Sequence, residues 1–242
     1  MRPRGRHSHF ETTRWSLVCA VRAEDPSAAH RALTVLCSTY WYPLYAYVRG
    51  QGYDAEDARD LIQSFFVQLL ERQDVQGVRQ ERGLFRSFLL AALRHFLLND
   101  LVHRRALKRG GGHVLVPLEF ENAEEKYVHE PVDAHTPETL FDRGWALAVL
   151  DQVFQHLRRD WEAEGSGSEF DRLKACLLGD LPPGGYRTIA AEIGSTEGAA
   201  RAAVHRLRRD FQQRLREVIA DTVLTDEAVA DEIRHLFNAL RG

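Results

Sequence analysis

Residues 186–209 read Tyr186-Arg187-Thr188-Ile189-Ala190-Ala191-Glu192-Ile193-Gly194-Ser195-Thr196-Glu197-Gly198-Ala199-Ala200-Arg201-Ala202-Ala203-Val204-His205-Arg206-Leu207-Arg208-Arg209. The spacing predicts a short helix over Tyr186–Ile193, a tight turn at Gly194-Ser195-Thr196 and a longer helix from Glu197 to about Ala220. Gly194 is suited to the positive φ such a turn needs, and small Ala190 lets the second helix cross the first closely. Ala200, Val204 and Leu207 fall at i, i+4 and i+7, which makes one buried face. Arg201, His205 and Arg208 repeat that spacing on another face. This is the pattern of a helix-turn-helix, whose second helix lies in the DNA major groove with its N-terminal residues near base edges. Arg206, Arg209 and Arg214 are placed to meet phosphates, which position a helix without reading sequence. The competing reading is an arginine-rich solvated helix in an ordinary bundle; the turn chemistry and the two distinct faces weigh against it.

Working outward, the rest of the chain is also helical in pattern, and no alternation of apolar and polar residues persists long enough for a sheet. Toward the C-terminus an amphipathic helix is expected over about Thr225–Leu240. Upstream, Leu181-Pro182-Pro183-Gly184-Gly185 reads as a turn, Glu169–Leu178 as a helix, and Glu164–Ser168 as a short break. Thr136-Pro137 opens a long helix, with proline at the first helical position. Residues 113–135 carry Pro117 and Pro131, show no periodicity and read as an acidic linker. Before it, Leu84 to about Arg109 predicts a helix that buries Phe85, Phe88, Leu89, Ala92, Leu93, Phe96 and Leu97, then turns polar and basic at Asn99, His103, Arg104, Arg105, Lys108 and Arg109. Gly110-Gly111-Gly112 ends it. A loop is expected over 72–83. Asp54 is a good N-cap for a helix to Glu71, with Leu61, Ile62, Phe65, Phe66, Leu69 and Leu70 in an apolar stripe and Asp60, Gln63 and Ser64 together on another face. The first long helix is expected from Ser27 to Arg49, after Asp25-Pro26-Ser27, with Ala29, Leu33, Leu36 and Tyr40 at helical spacing and a break or restart at Pro43. The aromatic run Tyr40–Tyr45 reads as a core seam.

The composition fits a folded chain: 242 residues, 44% hydrophobic and 28% charged, enough for one or two domains. The net charge of −3 decides nothing, but its distribution does. Residues 201–216 hold six arginines against one aspartate, and 94–109 hold five basic residues against one acidic. Residues 119–142 hold eight acidic residues and one lysine. Cys19, Cys37 and Cys176 lack any zinc-ligand spacing and read as core thiols in a reducing cytosol. No signal peptide and no membrane span are expected, and the tail bearing Arg2, Arg4 and Arg6 is expected to be disordered.

The helix over Leu84–Arg109 is a second nucleic-acid candidate, since asparagine can pair with a base edge while histidine and arginine stack or bind phosphate. A basic helix end is also favoured by the macrodipole, so this signal alone is weak. No catalytic set stands out. The glycine run 110–112 lacks the lysine, the hydroxyl residue and the preceding strand of a phosphate loop. The histidines show no metal spacing, and the acidic stretch reads as solvated. No cofactor is expected.

Taken together, three stretches resemble the extracytoplasmic-function group of RNA polymerase sigma factors. They are Tyr40-Trp41-Tyr42-Pro43-Leu44-Tyr45, Asp57-Ala58-Arg59-Asp60-Leu61-Ile62-Gln63-Ser64-Phe65-Phe66 and Phe85-Arg86-Ser87-Phe88-Leu89-Leu90-Ala91-Ala92-Leu93-Arg94-His95-Phe96, followed by a linker and the helix-turn-helix. With the latter, the resemblance spans about residues 12–220. It implies an all-α protein of two small helical domains: sigma domain 2 over 12–112, an acidic linker over 113–135, sigma domain 4 over 136–221 and a C-terminal extension helix over 222–242. It implies that Asp60, Gln63, Ser64 and Val67 dock on the β′ clamp of core RNA polymerase, with the flap of the β subunit as a further contact. The loop near 72–83 with Arg94, Asn99, His103, Arg104 and Arg105 would engage the minus-ten promoter element. Glu197, Ala199, Arg201, His205, Arg206, Arg208 and Arg209 would meet the minus-thirty-five element, and the acidic linker would mimic nucleic acid in the RNA exit region. An anti-sigma factor or other regulator is a possible partner. The protein would be cytoplasmic and not an enzyme.

Two departures stand out. Ala199 and Ala203 stand where family members often carry threonine and arginine, and residues 222–242 run past the usual end. The alternative functions are a stand-alone helix-turn-helix regulator that needs no polymerase, and an enzyme with an incidental basic helix.

Overall fold

The computed structural model describes residues 39–71, 84–106, 123–128, 136–179, 181–223 and 225–241. The expected helix start at Ser27, Cys19, Cys37, the arginine-bearing tail, the loop 72–83, Lys108, Arg109, the glycine run 110–112, Pro117 and Pro131 lie outside them. Among the described residues the chain is all-α; an isolated antiparallel bridge between Leu84 and Val223 is the extended pairing they contain. In chain order the helices are α1 (residues 39–50), α2 (Ala55–Glu71), α3 (Phe85–Ala106), α4 (Ala123–Val128), α5 (Pro137–Ala163), α6 (Gly167–Leu173), α7 (Ala175–Leu178), α8 (Tyr186–Ile193), α9 (Glu197–Ala220) and α10 (Asp226–Arg241).

The starts follow local chemistry. Asp54 Oδ1 accepts from the Asp57 amide at 2.8 Å, and Thr136 Oγ1 accepts from the Thr139 amide at 3.2 Å, so both residues cap as their sequence position implies. Pro43 departs from expectation, because residues 39–50 are helical throughout. A proline costs one helical bond and crowds the carbonyl four residues back. Here packing offsets that cost: Pro43 is buried, and its Cα stands 3.3 Å from where a Cβ on Gly144 would lie. Seven residues on, a Cβ on Gly50 would lie 3.2 Å from the Pro137 Cα. Two glycines, one per helix, thus let α1 and the start of α5 run antiparallel in close contact.

The chain divides into two units, one of Met1–Ala148 with Ile219–Gly242 and the other of Val149–Val218. In the first, Tyr40, Leu44, Tyr45, Leu61, Ile62, Phe66, Phe85, Leu89, Leu93, Phe141 and Trp145 are buried. The Trp145 indole N–H donates to the Tyr40 hydroxyl at 3.1 Å. Burial lifts that hydroxyl far above the ordinary tyrosine range, against the bond it accepts from Trp145.

This division differs from the expected boundaries at three places. Within the stretch read as a linker, α4 packs on α1: the Tyr45 hydroxyl donates to Glu124 at 2.6 Å, Arg49 donates to the same carboxylate at 2.7 Å, and Tyr127 is buried under the Arg49 guanidinium. The start of α5 belongs to the first unit through the glycine contacts. The expected extension also belongs there. Thr222 O accepts from the Phe85 amide at 3.1 Å, and Glu232, 3% exposed, receives Arg86 Nε at 2.8 Å and Nη2 at 3.0 Å. Arg86 also meets Asp142 at 3.3 Å and lies 5.2 Å from the Trp145 ring. Burial opposes its charge, but the bonds to Glu232 and the nearby carboxylates outweigh that and hold its pKa above the ordinary value. His235 Nε2 stands 3.2 Å from Asp142 without hydrogen-bonding geometry.

The second unit is centred on Val153, Leu157, Trp161, Phe170, Leu173, Ile189, Ala200, Val204, Leu207, Phe211 and Leu215. Cys176 is buried in it, as a core thiol should be, and burial raises its pKa. Helix α5 enters this unit from the first, and α9 leaves it, so residues 149–218 are an insertion in the chain of the first unit.

Candidate nucleic-acid interface

The helix-turn-helix forms at the expected residues. Helix α8 closes on Gly194 at φ 68° and ψ 38°, the left-handed conformation glycine adopts without strain. The amides of Gly194 and Ser195 both turn back to Ala190 O. Thr196 Oγ1 then accepts from the Ala199 amide at 3.2 Å and caps α9. Ile189, Ala190, Ala200, Val204 and Leu207 are buried together, which fixes how α9 lies on α8.

On α9 the structure sorts the arginines that sequence spacing treated alike. Glu197, Ala199, Arg201, His205 and Arg209 are exposed. Arg201 stands 3.6 Å from Glu197 and 5.1 Å from the Tyr186 ring; Arg209, 76% exposed, stands 3.3 Å from its neighbour Asp210. Gln212 and Arg216 continue the same exposed stripe and were not singled out by the sequence. Arg208, half-buried, is turned another way. Its Nε and Nη2 donate to Cys176 O at 3.2 and 3.0 Å, so it faces the unit's interior and satisfies a carbonyl of α7. At about 100° per residue, Arg208 sits beside Val204 while Arg209 swings outward to the His205 face. Arg206 and Arg214, expected at phosphates, also hold the unit together. Arg206 lies 4.1 Å over the Trp161 ring with Glu164 at 3.7 Å and Glu169 at 3.9 Å, and Arg214 pairs with Asp160 and Glu217.

In the first unit, α3 presents Arg94, His95, Leu98 and Asn99 outward, and Leu98 is 64% exposed. The Asn99 amide nitrogen lies 3.2 Å from His95 Nδ1. Arg94 is engaged from two sides. Its Nε donates to the Tyr47 hydroxyl at 3.1 Å, and its Nη2 donates to Glu138 at 2.6 Å. The bond to Tyr47 leads the effects that hold its pKa above the ordinary value. The backbone of His103, Arg104 and Arg105 is helical, and their side chains lie outside the described residues. On α2, Asp60 is exposed while Gln63, Ser64 and Val67 are half-buried, all on one side of the helix, with Leu61, Ile62, Phe65 and Phe66 buried on the other. Tyr47 and Glu138 are functional candidates that sequence reading missed; the opposite charges of segments 94–109 and 119–142 were visible, but not which residues pair.

Among the described residues no group of histidine, cysteine and carboxylate side chains is arranged to hold a metal ion, and no helix is long and apolar enough to cross a membrane. Comparison with protein-family models, with curated proteins and with solved structures gives no match.

Proposed function

We propose that this chain is a sigma-type promoter-specificity subunit: it binds core RNA polymerase and promoter DNA in the cytoplasm and catalyses nothing itself. The observation that best supports the DNA half is the α8–Gly194–α9 corner, with a capped helix start and a solvent-facing row of Arg201, His205 and Arg209. A helix end so presented suits major-groove entry, with side chains near its start reaching base edges. The polymerase half rests on the one-sided placement of Asp60, Gln63, Ser64 and Val67, three polar residues and a half-buried valine opposite a buried apolar face. On this reading the first unit docks on the β′ clamp and meets the minus-ten element through α3, and the second meets the minus-thirty-five element and the β flap. An anti-sigma factor or other regulator would control it.

Purified full-length chain, incubated with bacterial core RNA polymerase, should co-elute with it and direct initiation from a subset of genomic promoters. Asp60→Ala with Gln63→Ala should weaken core binding while promoter-duplex binding persists. A chain that binds duplex DNA specifically but never core polymerase would instead be the stand-alone regulator.

A further inference from the structure

Three carboxylates from one short acidic stretch lie on three arginines of the first unit. Glu124 meets Arg49 at 2.7 Å, Glu138 meets Arg94 at 2.6 Å and Asp142 meets Arg86 at 3.3 Å. Glu124, Glu138 and Asp142 are therefore not simply solvated; they neutralise basic groups of their own unit. The three pairs differ in depth. Arg49 and Arg86 are largely buried; Glu124 belongs to α4, and Arg86 is held by Glu232 of α10 as well as by Asp142 of α5. Arg94 and Glu138 are each 47% exposed. An exposed pair of that kind is weak and exchanges readily with solvent or with another anion.

Arg94 is also the one of the three that lies on the outward face of α3 with His95, Leu98 and Asn99. Tyr47 holds its Nε, and the guanidinium stands 5.7 Å from the Tyr47 ring, so its orientation does not depend on Glu138. The Nη2 edge is the one a carboxylate fills. A phosphodiester oxygen has the charge and the acceptor geometry to take that place.

We infer that Glu138 is an intramolecular competitor for nucleic-acid phosphate at Arg94, a built-in gate on the α3 surface. It rests on the reading of α3 as a nucleic-acid surface. Before contact, Glu138 occupies the Nη2 edge; on contact, phosphate displaces it while Tyr47 keeps the guanidinium aimed. The gate lowers the affinity of the free chain for any nucleic acid and leaves the discrimination between sequences to other residues.

The test is a double-mutant cycle in the full-length chain, read by anisotropy of a short fluorescent single-stranded DNA. Four proteins are compared: wild type, Glu138→Gln, Arg94→Gln and the double variant, with thermal unfolding run alongside to show that all are folded. Glu138→Gln should tighten binding about two- to fivefold, the range an exposed ion pair spans, and the gain should shrink as salt is raised. In the Arg94→Gln background the same change should do nothing. Equal tightening in both backgrounds would mean a long-range loss of negative charge and would overturn the gate, as would no change in the wild-type background. Glu56→Gln, an exposed carboxylate on α2, should leave the affinity unchanged; tightening equal to that of Glu138→Gln also counts against the gate. Absence of DNA binding by all four proteins would remove the nucleic-acid reading of α3 itself, an outcome separable from failure of the gate alone.

Discussion

At the scale of single residues, Arg208 and Arg209 show how adjacent, identical side chains receive different work. Arg208 donates twice to a backbone carbonyl inside the second unit, and Arg209 stands in solvent on the His205 face. Arg208→Ala should therefore destabilise the unit by about 1–3 kcal/mol, since a carbonyl loses a charged donor. Arg209→Ala should change stability by no more than about 0.5 kcal/mol, as surface substitutions usually do. Denaturant unfolding measures both. DNA binding should rank them the other way once the Arg208 variant is assayed well below its unfolding transition. If Arg209→Ala is the destabilising change, the assignment of the two faces is reversed.

At the scale of elements, the corner between α8 and α9 depends on one backbone conformation. Gly194 is left-handed, and a Cβ there would meet nothing within 4 Å. The cost of a side chain at this point is thus conformational and not steric. Gly194→Ala should cost about 1–2 kcal/mol, the penalty for an L-residue in that region, and Gly194→Asn should cost less because asparagine visits it more readily. Equal losses would show that crowding, not backbone strain, sets the price. The corner was legible in sequence because turn chemistry is local: glycine, then a threonine cap, flanked by apolar residues at helical spacing. The continuity of α1 through Pro43 was not legible, because what offsets the proline is Gly144, a hundred residues away in the chain and in contact only after folding.

At the scale of the molecule, the helix-turn-helix unit interrupts the chain of the first unit, whose last helix returns to it. Glu232 on α10 is almost fully buried against Arg86 on α3. Removing one partner of a buried pair leaves the other charged and desolvated, which costs about 3–5 kcal/mol. Glu232→Ala should lower the stability of the first unit by this order, tempered by Asp142, which still faces Arg86. Hydrogen exchange should show α3 and α10 losing amide protection together, with the loss confined to residues 39–148 and 219–241. If α10 alone becomes labile, it is an appendage and not part of that core. The sequence marked residues 222–242 as an amphipathic helix but left its packing open, for a simple reason: such a helix advertises a face to bury, but not where it will be buried.

The sequence by itself determined the all-helical class, the helix caps at Asp54 and Thr136, the Gly194 corner and the apolar faces, because each depends on residues within a turn or two of one another. Charge content was equally plain, including the acidic stretch beside two basic ones. Only the tertiary structure decided which arginines are spent internally and which face outward, and which carboxylates they meet. Arg86 finds Glu232 across 146 residues, and Arg94 finds Glu138 across 44. Such partners are chosen by how helices stack, and an ion pair leaves no periodicity in the chain to announce it.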